Sequence, residues 1–196
     1  METAVKLPLS GDPGADRLLE DDPLALLIGM VLDQQIPLER AFRSPSDLKE
    51  RMGGRLDVHE LADADPDELA RTFATPPALH RFPASMARRV QELCHHLIDE
   101  HEGRADRVWT SAADGRALLA NVKALPGFGD QKAKIFVAML GKRLDVRPAG
   151  WAEAAGEFGQ PGTFRSVADI DSPEALKQVR AYKQQMKAAA KAKAKE

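Results

Sequence analysis

Between Leu24 and Leu32 the chain reads "LALLIGMVL", a run that is apolar on almost every side of the helix it would form. Asp22 and Pro23 just before it supply an N-cap and a preset first turn. A helix with no polar face belongs in the middle of a fold. "FPASMARRVQELCHHLIDEHEG" follows a different rule. Met86, Val90, Leu93, Cys94 and Leu97 recur at i, i+3, i+4 spacing, which predicts an amphipathic helix that Gly103 closes. The Asp/Ser-Pro start is reused: Ser44 and Pro45 open "SPSDLKERMGG", with Gly53 and Gly54 as the stop. Asp65 and Pro66 open the short "DADPDELARTFA" helix, and Ser172 and Pro173 open the last long one, "DSPEALKQVRAYKQQM". In "TSAADGRALLANVKALPG", Ser111 and Asp114 stand at capping-box spacing, and Leu118, Leu119, Val122 and Leu125 form the inner face. Strand signals barely occur, so the fold class is all-α. Residues 144–165 are rich in Gly and Pro and irregular, apart from a short helix near Trp151.

One junction asks for more than packing. In "LPGFGDQKAKIFVAML" a Pro-Gly-Phe-Gly turn leads into a helix that opens with Asp130, Gln131, Lys132 and Lys134 before turning apolar. Gly127 and Gly129 can take positive φ and leave no Cβ in the way of a close approach. The following helix begins with unpaired N–H groups and a partial positive charge, a seat for phosphate to which Lys132 and Lys134 add point charges. An αα-hairpin with glycine in its loop also occurs for purely structural reasons.

Charge changes the picture only when it is divided. The net charge is −2, but Lys177 to Glu196 holds seven Lys/Arg against one acid, or +6, leaving 21 basic and 29 acidic groups, or −8, on residues 1–176. The Lys/Ala tail reads equally as a solvated helix end and as a basic arm attracted to phosphates. A single cysteine, Cys94, excludes an internal disulfide and a four-cysteine iron–sulfur or zinc site within one chain. His95, His96 and His101, with Cys94 and Glu100, lack metal-ligand spacing. No apolar run approaches the roughly 18 residues of a membrane span, and the N-terminus has no signal-peptide core. These features describe a cytoplasmic protein.

Three segments together resemble the HhH-GPD superfamily of base-excision DNA glycosylases. "LPGFGDQKAKIFVAML" is similar to the family's helix-hairpin-helix, L-P-G-(apolar)-G-x-x-x-A. "DPLALLIGMVLDQQIPLERAF" resembles its early buried helix and the Gln-containing loop behind it. "ARRVQELCHHLIDEHEGRADRVW" resembles its middle helix. The resemblance covers about residues 22 to 140. It implies a six-helix barrel at 22–141, a second lobe from 1–21 plus 142–186, and a basic tail at 187–196. Double-stranded DNA would lie in the groove between the lobes. It further implies a nucleoid-associated monomer and a Na⁺ or K⁺ ion held by backbone carbonyls of Leu125 and Gly127, while the single cysteine leaves no iron–sulfur cluster.

By the same resemblance, Gln34, Gln35 and Ile36 stand where family members wedge the DNA stack. An amide can bond an orphaned base and an apolar neighbour can replace lost stacking, which offsets part of the cost of flipping a nucleotide. Alternatively this is a polar loop capping a buried helix. Gly127, Phe128, Gly129, Gln131, Lys132 and Lys134 stand where the family contacts DNA. The chain departs from the family at two points. Gln131 occupies the place of the lyase lysine, which leaves a monofunctional enzyme. No acid falls at the usual interval for the catalytic aspartate, Asp145 being the nearest candidate; it reads equally as a solvated carboxylate paired with Arg143 or Arg147. Trp151 and Phe158 would either line a base pocket or pack the second lobe. The functions left open are a monofunctional DNA N-glycosylase, a DNA-binding or damage-sensing protein that has lost the chemistry, and a helical interaction domain.

Overall fold

The first fully buried helix carries no polar face because it has none to present. In the computed structural model, which describes residues 5–194, helix α2 (Pro23–Leu32) is buried at every position from Leu24 to Leu32. Asp22 caps it, accepting from the N–H groups of Leu24 and Ala25. Helix α1 (Pro13–Asp21) precedes it under the same rule, with Asp12 accepting from the Ala15 N–H. That start was equally readable at Asp12-Pro13. Residues 1–4 and 195–196, the outer ends of the expected second lobe and tail, lie outside the described residues.

Helices α3 (Leu38–Arg51) and α6 (Pro83–His101) pack on α2, and α4 (Val58–Asp63) and α5 (Pro66–Ala74) are both laid on α6. The α3 start differs from the one expected at Ser44. The helix begins six residues earlier, at Leu38, and Pro45 lies inside it. The turn survives because Ser44 and Pro45 sit on its buried face and Ser44 Oγ donates to the Arg40 carbonyl, one turn back, and to Leu79 O. Helix α4 was not anticipated; at six residues it is too short to show a period, although Asp57 caps it through the Glu60 N–H.

The C-terminal half is built on α9 (Asp130–Arg143), whose residues 136–141 are all buried. It packs on α8 (Gly115–Ala124), which follows the short α7 (Arg107–Thr110), and on α10 (Trp151–Ala154) and two 3-10 turns, Gly156–Gly159 and Val167–Asp169. The cap of α8 is Asp114 alone, through the Ala117 N–H. Ser111 instead donates to Arg107 O at the end of α7. Helix α11 (Pro173–Lys193) closes the chain, tied to the start of α3 by an Arg180–Glu39 ion pair. All regular elements among the described residues are helical, with no strand.

Candidate nucleic-acid interface

A buried helix must find donors for its last four carbonyls. The C-terminal end of α2 does so completely. Gly29 O accepts from the Asp33 N–H and Leu32 O from the Gln34 N–H. Val31 O accepts from Gln34 Nε2 at 2.8 Å, and Met30 O from Lys132 Nζ at 2.6 Å. A lysine ammonium at this end also meets the negative pole of the helix dipole.

These bonds divide the "QQI" loop by role. Gln34 folds back as a cap, its amide also lying 3.7 Å from Met86 Sδ. Ile36 packs partly buried against the core. Gln35 alone is exposed, at φ +57°, a left-handed conformation that lifts its side chain off the helix line. His80, which the sequence did not single out, braces the loop from beneath. Its Nδ1 accepts from the Phe82 N–H at 3.0 Å, so Nε2 carries the proton and donates to Gln34 O at 2.8 Å. Burial pushes the imidazole below its ordinary value, against the pull of the Gln34 and Leu32 carbonyls. His80 is held in turn because Arg40 and Arg51 grip the carbonyls of Thr72, Thr75, Pro77 and Ala78 in the segment before it.

At the hairpin, Gly127 has φ +88°, and a Cβ there would stand 3.3 Å from Arg89 Cδ. Gly129 opens on free space, with nothing within 4 Å of where its Cβ would be. Phe128 is turned inward, 5% exposed and edge-on to Phe136 at 5.8 Å, so it anchors the turn in the core. The Leu125 carbonyl accepts from the Phe128 N–H at 3.1 Å and keeps one lone pair. Carbonyl oxygens here suit a hard monovalent cation in donor type.

The start of α9 has no side-chain cap. Asp130 is committed instead to Lys123 at 2.9 Å and Lys134 at 2.8 Å, whose ammonium groups, that of Lys134 first, pull its carboxyl below the ordinary range. Those two lysines are the cations at the front of the hairpin. Lys132 points the other way, into the protein. Burial lowers its pKa, partly offset by Asp33.

Beside the hairpin lies a cavity of about 320 Å³, at the low end of the roughly 300–1,000 Å³ of small-molecule pockets. Gln131 and Ile135 form one wall; Glu157, Phe158 and Arg165, then Tyr182, Lys183 and Met186, form the others. Phe158 and Tyr182 bring aromatic surface to this cleft. Trp151 does not reach it and covers Gly141 at the far end of α9, where a Cβ would meet the indole at 2.2 Å. Asp145 lies beyond the same far end, about 20 Å along the helix from its start. Its side chain is 71% exposed and pairs with Arg147 at 3.1 Å. The acid in the cleft wall, Glu157, is paired with Arg165, whereas Asp33, at the C-cap of α2, lies outside the wall and feels the charge of its Lys183. Burial raises the Asp33 pKa, opposed first by Lys183 and then by Lys132.

The described residues contain no cluster of three His, Cys, Asp or Glu side chains suited to a metal, and no helix long and apolar enough to cross a membrane. Burial pushes the Cys94 thiol up to about 12, which leaves it inert at neutral pH.

A buried α2 ending in a projecting glutamine, and a glycine hairpin opening α9 beside it, are joined by one lysine. Over the same stretch, a family model described as HhH-GPD superfamily base excision DNA repair protein matches residues 28–196. The chain belongs to the HhH-GPD superfamily. No curated protein and no solved structure matches it. Members of the superfamily bind DNA and act in base excision repair. Within that family, this chain leaves Gln35, Gly129 and Gln131 exposed and Lys134 half-exposed. Phe128, Gln34 and Lys132 support them from within, and Asp145 stands apart. Sequence reasoning missed His80, Asp33 and Lys183. Only Asp33 had a local signal, an acid directly after an apolar helix and two residues before the projecting glutamine.

Proposed function

We propose that this HhH-GPD protein is a monofunctional DNA N-glycosylase, a monomer that works on the double-stranded DNA of the nucleoid. The duplex lies in the groove between a barrel of residues 22–141 and a lobe drawn from residues 1–21 and 142–186. The N–H groups at the start of α9, Gly129, and the Lys123 and Lys134 ammonium groups hold a phosphate. Leu125 and Gly127 carbonyls would hold a Na⁺ or K⁺ ion that bridges protein to phosphate. Gln35 enters the stack, Ile36 lies behind it, and the extruded base enters the cleft against Phe158, Tyr182 and Gln131.

The observation that carries this reading is Gln35 itself: exposed at φ +57° on a loop otherwise fixed by Gln34, His80 and Lys132. A loop that only capped α2 would not need a strained residue aimed outward. Gln131 at the lyase position supports hydrolysis without strand cleavage, since an amide cannot form a Schiff base. The position of Asp145 favours a second reading, a damage-sensing protein that binds and flips without excising. A panel of duplexes carrying alkylated purines, uracil, oxidised guanine or mismatches separates the two. Breaks that appear only after alkali support the monofunctional enzyme, breaks without alkali contradict it, and no breaks with tight lesion binding favours the sensor.

A further inference from the structure

Asp33 is the one carboxylate of the wedge loop, and its surroundings are unlike those of the other acids. Ionised groups withdrawn from water are ordinarily hydrogen-bonded or paired. Asp16 and Asp169 follow that rule: Asp16 accepts from Leu9, Ser10 N and Ser10 Oγ, and Asp169 from Lys142, Arg165 and Ser166. Asp33 is partly buried, yet among the described residues its carboxylate makes no hydrogen bond and no ion pair. It faces Lys132 from α9 and Lys183 from α11 through space only, with His80, neutral, under the adjoining loop. Lys132 spends its ammonium on Met30 O, and Lys183 also lines the cleft. The carboxylate therefore stands at the end of α2, two residues before Gln35 and within reach of the charge of a cleft-wall lysine, with its acceptor capacity unused.

We propose that Asp33 is the catalytic carboxylate, turned toward C1′ of the extruded nucleotide, where it stabilises the cationic sugar and takes the proton of the attacking water. This rests on the glycosylase reading above. The glycosidic C1′–N bond breaks with its electron pair leaving on the base, and the water oxygen bonds to C1′. The water proton passes to Asp33 and from there to the departing base, giving an abasic sugar and a neutral free base. The half-desolvated position of Asp33 raises its basicity above that of an ordinary carboxylate, which suits a proton acceptor. The acid missing beyond the hairpin is thus supplied from the opposite side, by the end of α2.

The test needs no knowledge of the lesion. Two duplexes are compared, one carrying a neutral tetrahydrofuran abasic analogue and one a cationic pyrrolidine analogue at the same position. The wild type should prefer the cationic duplex by roughly tenfold or more. Asp33→Asn should lose that preference while binding the neutral analogue as before, which also reports an intact fold. A preference that survives in Asp33→Asn, or no preference in the wild type, overturns the assignment. Binding of both analogues no better than plain duplex overturns the extruded-nucleotide reading itself. Where a lesion is excised, Asp33→Asn should slow single-turnover excision by about 10²-fold or more, and an unchanged rate overturns the role.

Discussion

Lys132 Nζ and the Met30 carbonyl, 102 positions apart in sequence, meet at 2.6 Å. The bond ties the first turn of the hairpin helix to the last turn of the buried helix that precedes the Gln35 loop. A residue expected to grip phosphate is thereby the link between the end of α2 and the hairpin. Lys132→Met should leave Met30 O without a partner and cost about 1–3 kcal/mol, measured by urea unfolding. Lys132→Arg should recover part of it. Because its charge is spent internally, neither change should alter the salt slope of duplex binding by as much as Lys134→Gln, which should lower it by about one.

Asp130 restrains the proposed phosphate seat. It holds Lys123 and Lys134 and places a negative charge at the start of α9. Asp130→Asn should free both ammonium groups, tighten binding to any duplex, and steepen its salt dependence. Titrations at several salt concentrations check this; weaker binding would show that Asp130 positions the lysines rather than competing for them.

The two glutamines should separate cleanly. Gln34→Ala removes the bond to Val31 O and should cost about 1 kcal/mol of stability. Gln35→Ala should leave stability and plain-duplex affinity near the wild type but reduce preference for a lesion duplex. Gln35→Gly relieves the φ +57° strain and should hold or raise stability by up to about 1 kcal/mol, again with loss of lesion preference. Equal losses on plain and lesion duplexes would remove Gln35 from the wedge.

His80 gives the loop a pH dependence. Its folded pKa is depressed below the ordinary 6.5, so the unfolded chain takes up more protons as pH falls past that value. Stability should therefore be full above pH 6.5 and decline below it. His101, also depressed by burial, acts in the same direction. His80→Gln keeps a donor for Gln34 O without a titrating ring and should flatten part of the decline in Tm between pH 7 and 5. An unchanged slope would exclude His80.

The helices were legible where a cap and a period coincide. Asp22-Pro23 and the Met86–Leu97 stripe each marked an element that the structure contains. The α3 start was not, because Ser44-Pro45 has the local chemistry of a cap while burial against the 75–82 segment carries the helix through it. Of the hairpin glycines, Gly127 takes the positive φ expected of it, whereas Gly129 is extended at φ −71°. The direction of Lys132 was not legible, since it depends on an acceptor a hundred residues away, and neither was His80, whose role exists only once Arg40 and Arg51 have folded its segment under the loop. Asp33 showed as an acid, but its lack of partners is a property of three-dimensional space.

The claim beneath all of these is that the Gln35 loop opens the DNA stack and sends a nucleotide into the cleft beside Gln131. A duplex with 2-aminopurine at the lesion position tests it most directly, because that base brightens when it unstacks. Saturating the duplex with wild-type protein should raise its fluorescence, and Gln35→Ala should bind with little rise. Full binding by the wild type with the base still quenched would contradict the account.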